Sequence, residues 1–143
     1  MLENTQKSPR TIPLVIAKVI LGVSFLVFGA NGFLHFMPVP PPDSANGVAF
    51  LKLLDSTGYL KVVKALEMLG GGLILGGRLA PLGLLILGPI LINIMIFDIF
   101  MDPMALPIVA VLGALAAFVG WQHKEHFAPF FVVRPDHCTF KGK

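Results

Sequence analysis

The chain has 143 residues, of which 55% are hydrophobic and only 13% charged, with a formal net charge of +3. A water-soluble domain carries roughly 25% charged residues, so a mean hydropathy of +0.82 excludes an ordinary soluble monomer and points to one membrane domain. The few basic residues gather before Ile12 (Lys7, Arg10) and after Trp121 (Lys124, Arg134, Lys141, Lys143), which reads as a topology signal and not as a nucleic-acid surface.

The first apolar run, about Ile12–Phe36, is too long for the core of a cleavable signal peptide and is expected to remain as a membrane anchor. A connection with the sequence PVPPPDSANGVAFLKLLDSTG follows. Its proline half reads as extended polyproline II. Its second half, Gly47–Leu54, reads as a short helix lying in the membrane interface, with Lys52 and Asp55 facing water. Further runs cover about Tyr59–Gly77, Leu79–Met101 and Met104–Trp121. Each is close to the roughly 20 residues that a spanning helix needs. No run alternates with period 2, so strands are not expected. Gly76-Gly77-Arg78 with Pro81 predicts a tight reversal, and Asp102-Pro103 reads as the N-cap and first residue of the fourth long helix.

The expectation is an all-α, integral-membrane four-helix bundle over residues 12–122. A segment 1–11 and a tail 123–143 flank it, both cytoplasmic. Four spans bring Lys7, Arg10, Arg78 and the tail cations to one face, which the positive-inside rule assigns to the cytoplasm. The single cysteine, Cys138, excludes an intrachain disulfide and a CxxC redox pair. Gly72-x-x-x-Gly76 and Ala110-x-x-x-Ala114 place small residues at helical spacing; close packing inside the bundle and a homo-oligomer face both use such pairs.

Depth along the helices locates the polar residues. At 1.5 Å per residue, Asn31 lies ~28 Å above the Ile12 end, with His35 further out, and Glu67 ~12 Å below the Tyr59 end. Asn93 and Asp98 lie ~21 Å and ~28 Å above Leu79. All fall in the outer half of the bilayer. Glu67 is the most expensive, because an acid inside a span costs roughly 2.5–3.5 kcal/mol; it must face the bundle and be paired or protonated. Lys64, three residues earlier on the same face, is one partner; if it snorkels outward, Asn31, His35 or Asn93 must serve. Asn31 and His35 share a helix face. Asn93 stands one turn past Pro89, whose missing N–H frees the Leu85 carbonyl. Asp98 is about 140° round the helix from Asn93 and reads as an interfacial charge.

Structural readings stand beside these. The two asparagines serve equally as interhelical glue, and His35 as an interfacial or capping residue. Glu67 is better explained by function or proton handling, given its cost. His123, His126 and His137 belong to the polar tail, no metal-ligand cluster is seen, and one intramembrane histidine cannot make a bis-His haem site.

The ordered pattern NGFLHF, PPP, TGYL and KALEMLGGGLILGGRLAPLGLLILGPILINIMIFDIF resembles the DoxX-like group of small four-helix bacterial membrane proteins, over roughly Thr11 to Trp121. The resemblance implies a multi-pass protein of the bacterial inner membrane, a redox-associated subunit that passes electrons to quinone. Asn31, His35, Glu67 and Asn93 match the recurring polar positions. On that footing Asn31, His35 and Asn93 donate to the carbonyl oxygens of a quinone headgroup and Glu67, the catalytic residue, relays protons. A partner subunit supplies the electrons, since the chain carries no redox centre of its own. Two other classes stay open: a non-enzymatic membrane scaffold or assembly subunit, and a small-molecule transporter, for which four helices are few.

Overall fold

Runs of Leu, Ile, Val and Gly without period-2 alternation fold here as helix throughout. The computed structural model describes residues 11–131, with side chains from 12 to 127. Its elements are α1 (Thr11–Leu34), α2 (Ala45–Ser56), α3 (Tyr59–Leu75), α4 (Ala80–Met101), α5 (Leu106–Gln122) and α6 (Lys124–Phe131). No strand occurs among the described residues. Residues 1–10 and 132–143, most of the two segments expected to be cytoplasmic, lie outside them.

Two helices, α1 over Ile12–Leu34 and α4 over Ala80–Met101, are long and apolar enough to cross a membrane. Only 28% of the apolar window of α1 and 17% of that of α4 are buried. A core helix of a soluble protein would bury most of its apolar surface. These helices leave theirs outward: Val15, Ile16, Val19 and Ile20 on α1, and Leu82, Leu85, Ile92, Ile96 and Ile99 on α4, are all exposed. The other two long helices, α3 and α5, have 17 residues each.

Glycines set how the helices meet. Where α1 crosses α3, a Cβ on Gly22 would stand 2.9 Å from the Gly71 carbonyl, and one on Gly71 only 2.7 Å from that of Gly22. The α3–α4 crossing repeats the device, with a Cβ on Gly83 falling 2.7 Å from the Gly70 oxygen. Backbones this close pack without side chains between them. Gly72, one of the small residues singled out by spacing, has open space where its Cβ would be. The packing face is therefore Gly70–Gly71 and not Gly72–Gly76.

In the order of packing, α1 lies against α3, α3 against α4, α4 against α5, and α5 back against α1, while α2 rests across α3 and α4. Leu21, Phe25, Ile74, Leu84, Leu87, Leu112 and Val119 form the centre of the buried core. Most of them lie on the parts of the helices nearer the α3–α4 turn, with Leu112 in the first half of α5, farther from it. Phe127 of α6 packs onto the same core, so the first part of the tail is a docked helix, which spacing alone did not predict.

The turn itself matches expectation. Gly77 takes a left-handed φ of 73°, the Arg78 N–H donates to the Gly76 carbonyl at 2.8 Å, and Pro81 sits in the first turn of α4. The start of α5 differs. Asp102 closes α4, its N–H donating to the Asp98 carbonyl at 3.1 Å. The Ala105 N–H then donates to Asp102 at 3.1 Å, forming a separate turn. Helix α5 begins at Leu106 with Pro107 in its first turn, so the early-helix proline is Pro107 rather than Pro103.

Candidate functional site

Among the described residues, Lys64, Glu67, Asn93 and Asp98 lie together around a cavity of about 450 Å³. That volume falls within the roughly 300–1,000 Å³ range of small-molecule sites. Three helices line it. From α3 come Tyr59, Leu60, Val63, Lys64 and Glu67; from α4, Pro89, Ile90, Asn93, Ile94, Phe97 and Asp98. The third wall is Phe50, Leu51 and Leu54 of α2.

Helix α2 is held in place at its start. Ser44 accepts the Gly47 N–H at 3.0 Å as N-cap, and its hydroxyl donates to the Met101 carbonyl at 2.8 Å. One side chain thereby satisfies an orphan donor of α2 and a terminal acceptor of α4. Further along, Phe50 stacks on Phe97 with centroids 5.8 Å apart. Lys52 and Asp55 point away and are exposed.

Glu67 is 2% exposed. The Lys64 ammonium donates to both of its oxygens, at 3.1 and 2.9 Å, which settles the choice between pairing and snorkelling in favour of pairing. The spacing of three residues puts the two on one face of α3. On the other side the Lys64 stem lies over Gly32 of α1, where a Cβ would come within 2.5 Å of Lys64 Cγ. Packing thus holds the lysine stem and directs its head to Glu67. An ammonium has three N–H donors, so one remains after the carboxylate has taken two.

Asn93 and Asp98 stand at opposite edges of the α4 wall. Phe97, Ile90 and Ile94 fill the arc between them, about 140° wide at 100° per residue, and Pro89 lies one turn below Asn93, just outside that arc. Asn93, at one edge, is exposed. Asp98, at the other, is 3% exposed, and its Oδ2 has no hydrogen-bond partner among the described residues. Asp98 is therefore a buried cavity residue and not the interfacial charge that its angle from Asn93 implied. Ile94, one turn back at i−4, shares its face and lines the same cavity.

The two candidates on α1 lie elsewhere. Asn31 is buried, but its amide is spent on the loop beyond its own helix: Nδ2 donates to the Met37 carbonyl at 3.0 Å, and Oδ1 accepts the Met37 N–H at 2.7 Å. His35 is exposed and takes a left-handed φ of 49°, with its N–H donating to the Asn31 carbonyl at 2.9 Å. It ends α1 in the position where glycine or asparagine is usual. Neither lines the cavity. Of the three expected donors, Asn93 alone lines the cavity, and Lys64 lines it as well.

A second, shallower groove between α4 and α5 is lined by Gly88, Gly113, Ala116 and neighbouring apolar residues, without a polar side chain. Among the described residues no three His, Cys, Asp or Glu side chains converge as a metal site. Comparisons with known protein families, characterised proteins and solved structures give no match to this chain.

Proposed function

We propose that the chain is a DoxX-like, multi-pass protein of the bacterial inner membrane whose α2–α3–α4 cavity binds the headgroup of a quinone. One observation carries the reading: a largely apolar cavity of about 450 Å³ whose wall holds the buried Glu67 paired with a half-buried Lys64. An apolar space with a few fixed polar groups suits a hydrophobic ring bearing oxygens. Lys64 and Asn93 are the donors to the ring carbonyls, and Glu67, through Lys64, is the group that relays protons. The chain acts as a redox-associated subunit, with a partner subunit as the source of electrons.

In this reading α1, α3, α4 and α5 are the four spans of a bundle, α2 lies in the outer interface, and both termini are cytoplasmic. The exposed aliphatic faces of α1 and α4 support contact with lipid. The position of Arg78 at the α3–α4 turn, together with the cations at the two ends of the chain, supports the orientation.

A scaffold or assembly subunit is the second reading, favoured by Asn31, whose buried amide bonds twice to the Met37 backbone and lines no cavity. Quinone-analogue binding to the detergent-solubilised protein, measured with thermal stability for the parent, Glu67→Gln and Asn93→Ala, separates the two. Weakened binding with retained stability is expected. Absence of binding by the parent, with the variants only less stable, contradicts the quinone reading and leaves the scaffold.

A further inference from the structure

The residues that line the cavity differ in how far they reach the surface. Glu67 and Asp98 are buried and mark its inner end. Phe50, Tyr59, Pro89 and Asn93 line it too and are exposed, so they mark its mouth. Three of these four stand on α3 and α4, so the mouth opens on the seam between those helices. Height says what it opens to. At 1.5 Å per residue, Pro89 and Asn93 lie ~15 Å and ~21 Å above Leu79, inside a hydrocarbon layer about 30 Å thick. In the four-span arrangement the mouth faces lipid. The exposed side of the seam also continues below it. From Asn93, the positions Pro89, Ile86 and Leu82 follow at steps of four, three and four, which keeps them on one helix face. Pro89 and Leu82 are exposed and Ile86 is half-buried. On α3, Leu66 is exposed one turn before Gly70, where that helix meets Leu87 of α4, and so forms the other bank. The strip is about 16 Å long, and below Asn93 it carries only aliphatic side chains and the proline ring.

We infer that this strip seats the tail of the ligand: the ring enters the cavity sideways from the lipid, and its chain trails out past Asn93 and Pro89 and down the α3–α4 seam. The inference rests on the quinone-type reading of the cavity. It adds the ligand's class, a membrane-dissolved amphiphile with one long alkyl or isoprenoid chain, and the side from which it arrives. The strip and the cavity are continuous through Asn93 and Pro89, which belong to both. A chain on the strip stays in hydrocarbon while its ring reaches the polar wall of α3. Lipid is as apolar as leucine, so no hydrophobic gain draws a bare chain to the strip. The ring is the anchor, and the chain packs where the anchored ring leaves it.

A benzoquinone bearing a decyl tail, with a photoreactive diazirine midway along that tail, tests this on the full chain in lipid vesicles. Label is expected on residues 66–70 and 82–89. Excess unlabelled decylquinone should abolish it, and decanol, which has the chain without the ring, should leave it. A second probe with an azide on the ring, run in parallel, reads the ring site by itself. Competable tail label confined to other segments, such as residues 45–58 on the water side of the cavity, overturns the inference. So does tail label that decanol removes as well as decylquinone does, or that neither removes while the ring label stays competable. In each of these cases the ring site stands. Ring label that excess decylquinone does not remove overturns the quinone-type reading, and the inference with it.

Discussion

At the residue scale, His35 and Asn31 illustrate how a polar pair at a helix end divides its duties. Asn31 closes a two-bond ring with the Met37 backbone, and the chain can turn there only because His35 enters the left-handed region at φ 49°. A non-glycine residue in that region costs roughly 1–2 kcal/mol. His35→Gly is therefore expected to leave thermal stability unchanged or raise it by up to about 1 kcal/mol, the greater freedom of glycine in the unfolded chain offsetting part of the relief. Ligand binding should not change. A loss of affinity in that variant would return His35 to the binding site. Height along α1 was legible in the sequence, since residue counting needs only the helical rise. Azimuth was not, because the rotation that sends the Asn31 amide to its own loop depends on contacts formed after the helix.

At the scale of elements, the long helices and their breaks were readable almost to the residue. Apolar runs, Gly76-Gly77 and the prolines act locally, and local signals survive folding. Partners were harder to read. Spacing singled out Gly72 and Gly76, yet the close approaches run through Gly70 and Gly71, because three adjacent glycines, Gly70 to Gly72, cannot reveal which of them faces a neighbour. The consequence is a sharp contrast between adjacent positions. Gly71→Val must push α1 and α3 apart and should cost about 1–3 kcal/mol, the usual range for overpacking. Gly72→Val meets open space and should change stability by about 0.5 kcal/mol or less. Thermal unfolding in detergent compares them directly, and equal losses at both positions would mean that the crossing is misplaced. The role of α2 was the larger surprise. Its Ser44 stitch to Met101 and the Phe50–Phe97 stack join residues about fifty positions apart, and no periodicity in a short segment announces such contacts.

At the scale of the whole molecule, the chain separates a packed end from an open one. Leu21, Ile74, Leu87 and Val119 are fully buried on the parts of the helices toward the α3–α4 turn, while the cavity occupies the parts bearing Glu67, Asn93 and Asp98. The coarse form of this division could be read from sequence, where every costly polar residue counted to the same bilayer level. The proposed orientation, which rests on Arg78 and the terminal cations, can be checked by labelling. With Cys138 replaced by Ser, Ser56→Cys, at the exposed end of α2, is expected to react with a membrane-impermeant thiol reagent from outside. Leu79→Cys, beside the α3–α4 turn, should react only after permeabilisation. Reaction of both from the same side would contradict the four-span arrangement.

The central claim is that the α2–α3–α4 cavity is where a quinone-type ring binds, and photolabelling of the protein in native membranes tests it most directly. With an azido-quinone, the account predicts label on peptides covering residues 50–54, 59–67 and 89–98, removed by excess unlabelled quinone or hydroquinone. Label that excess ligand does not remove, or competable label confined to the α4–α5 groove around Gly88 and Gly113, would contradict it.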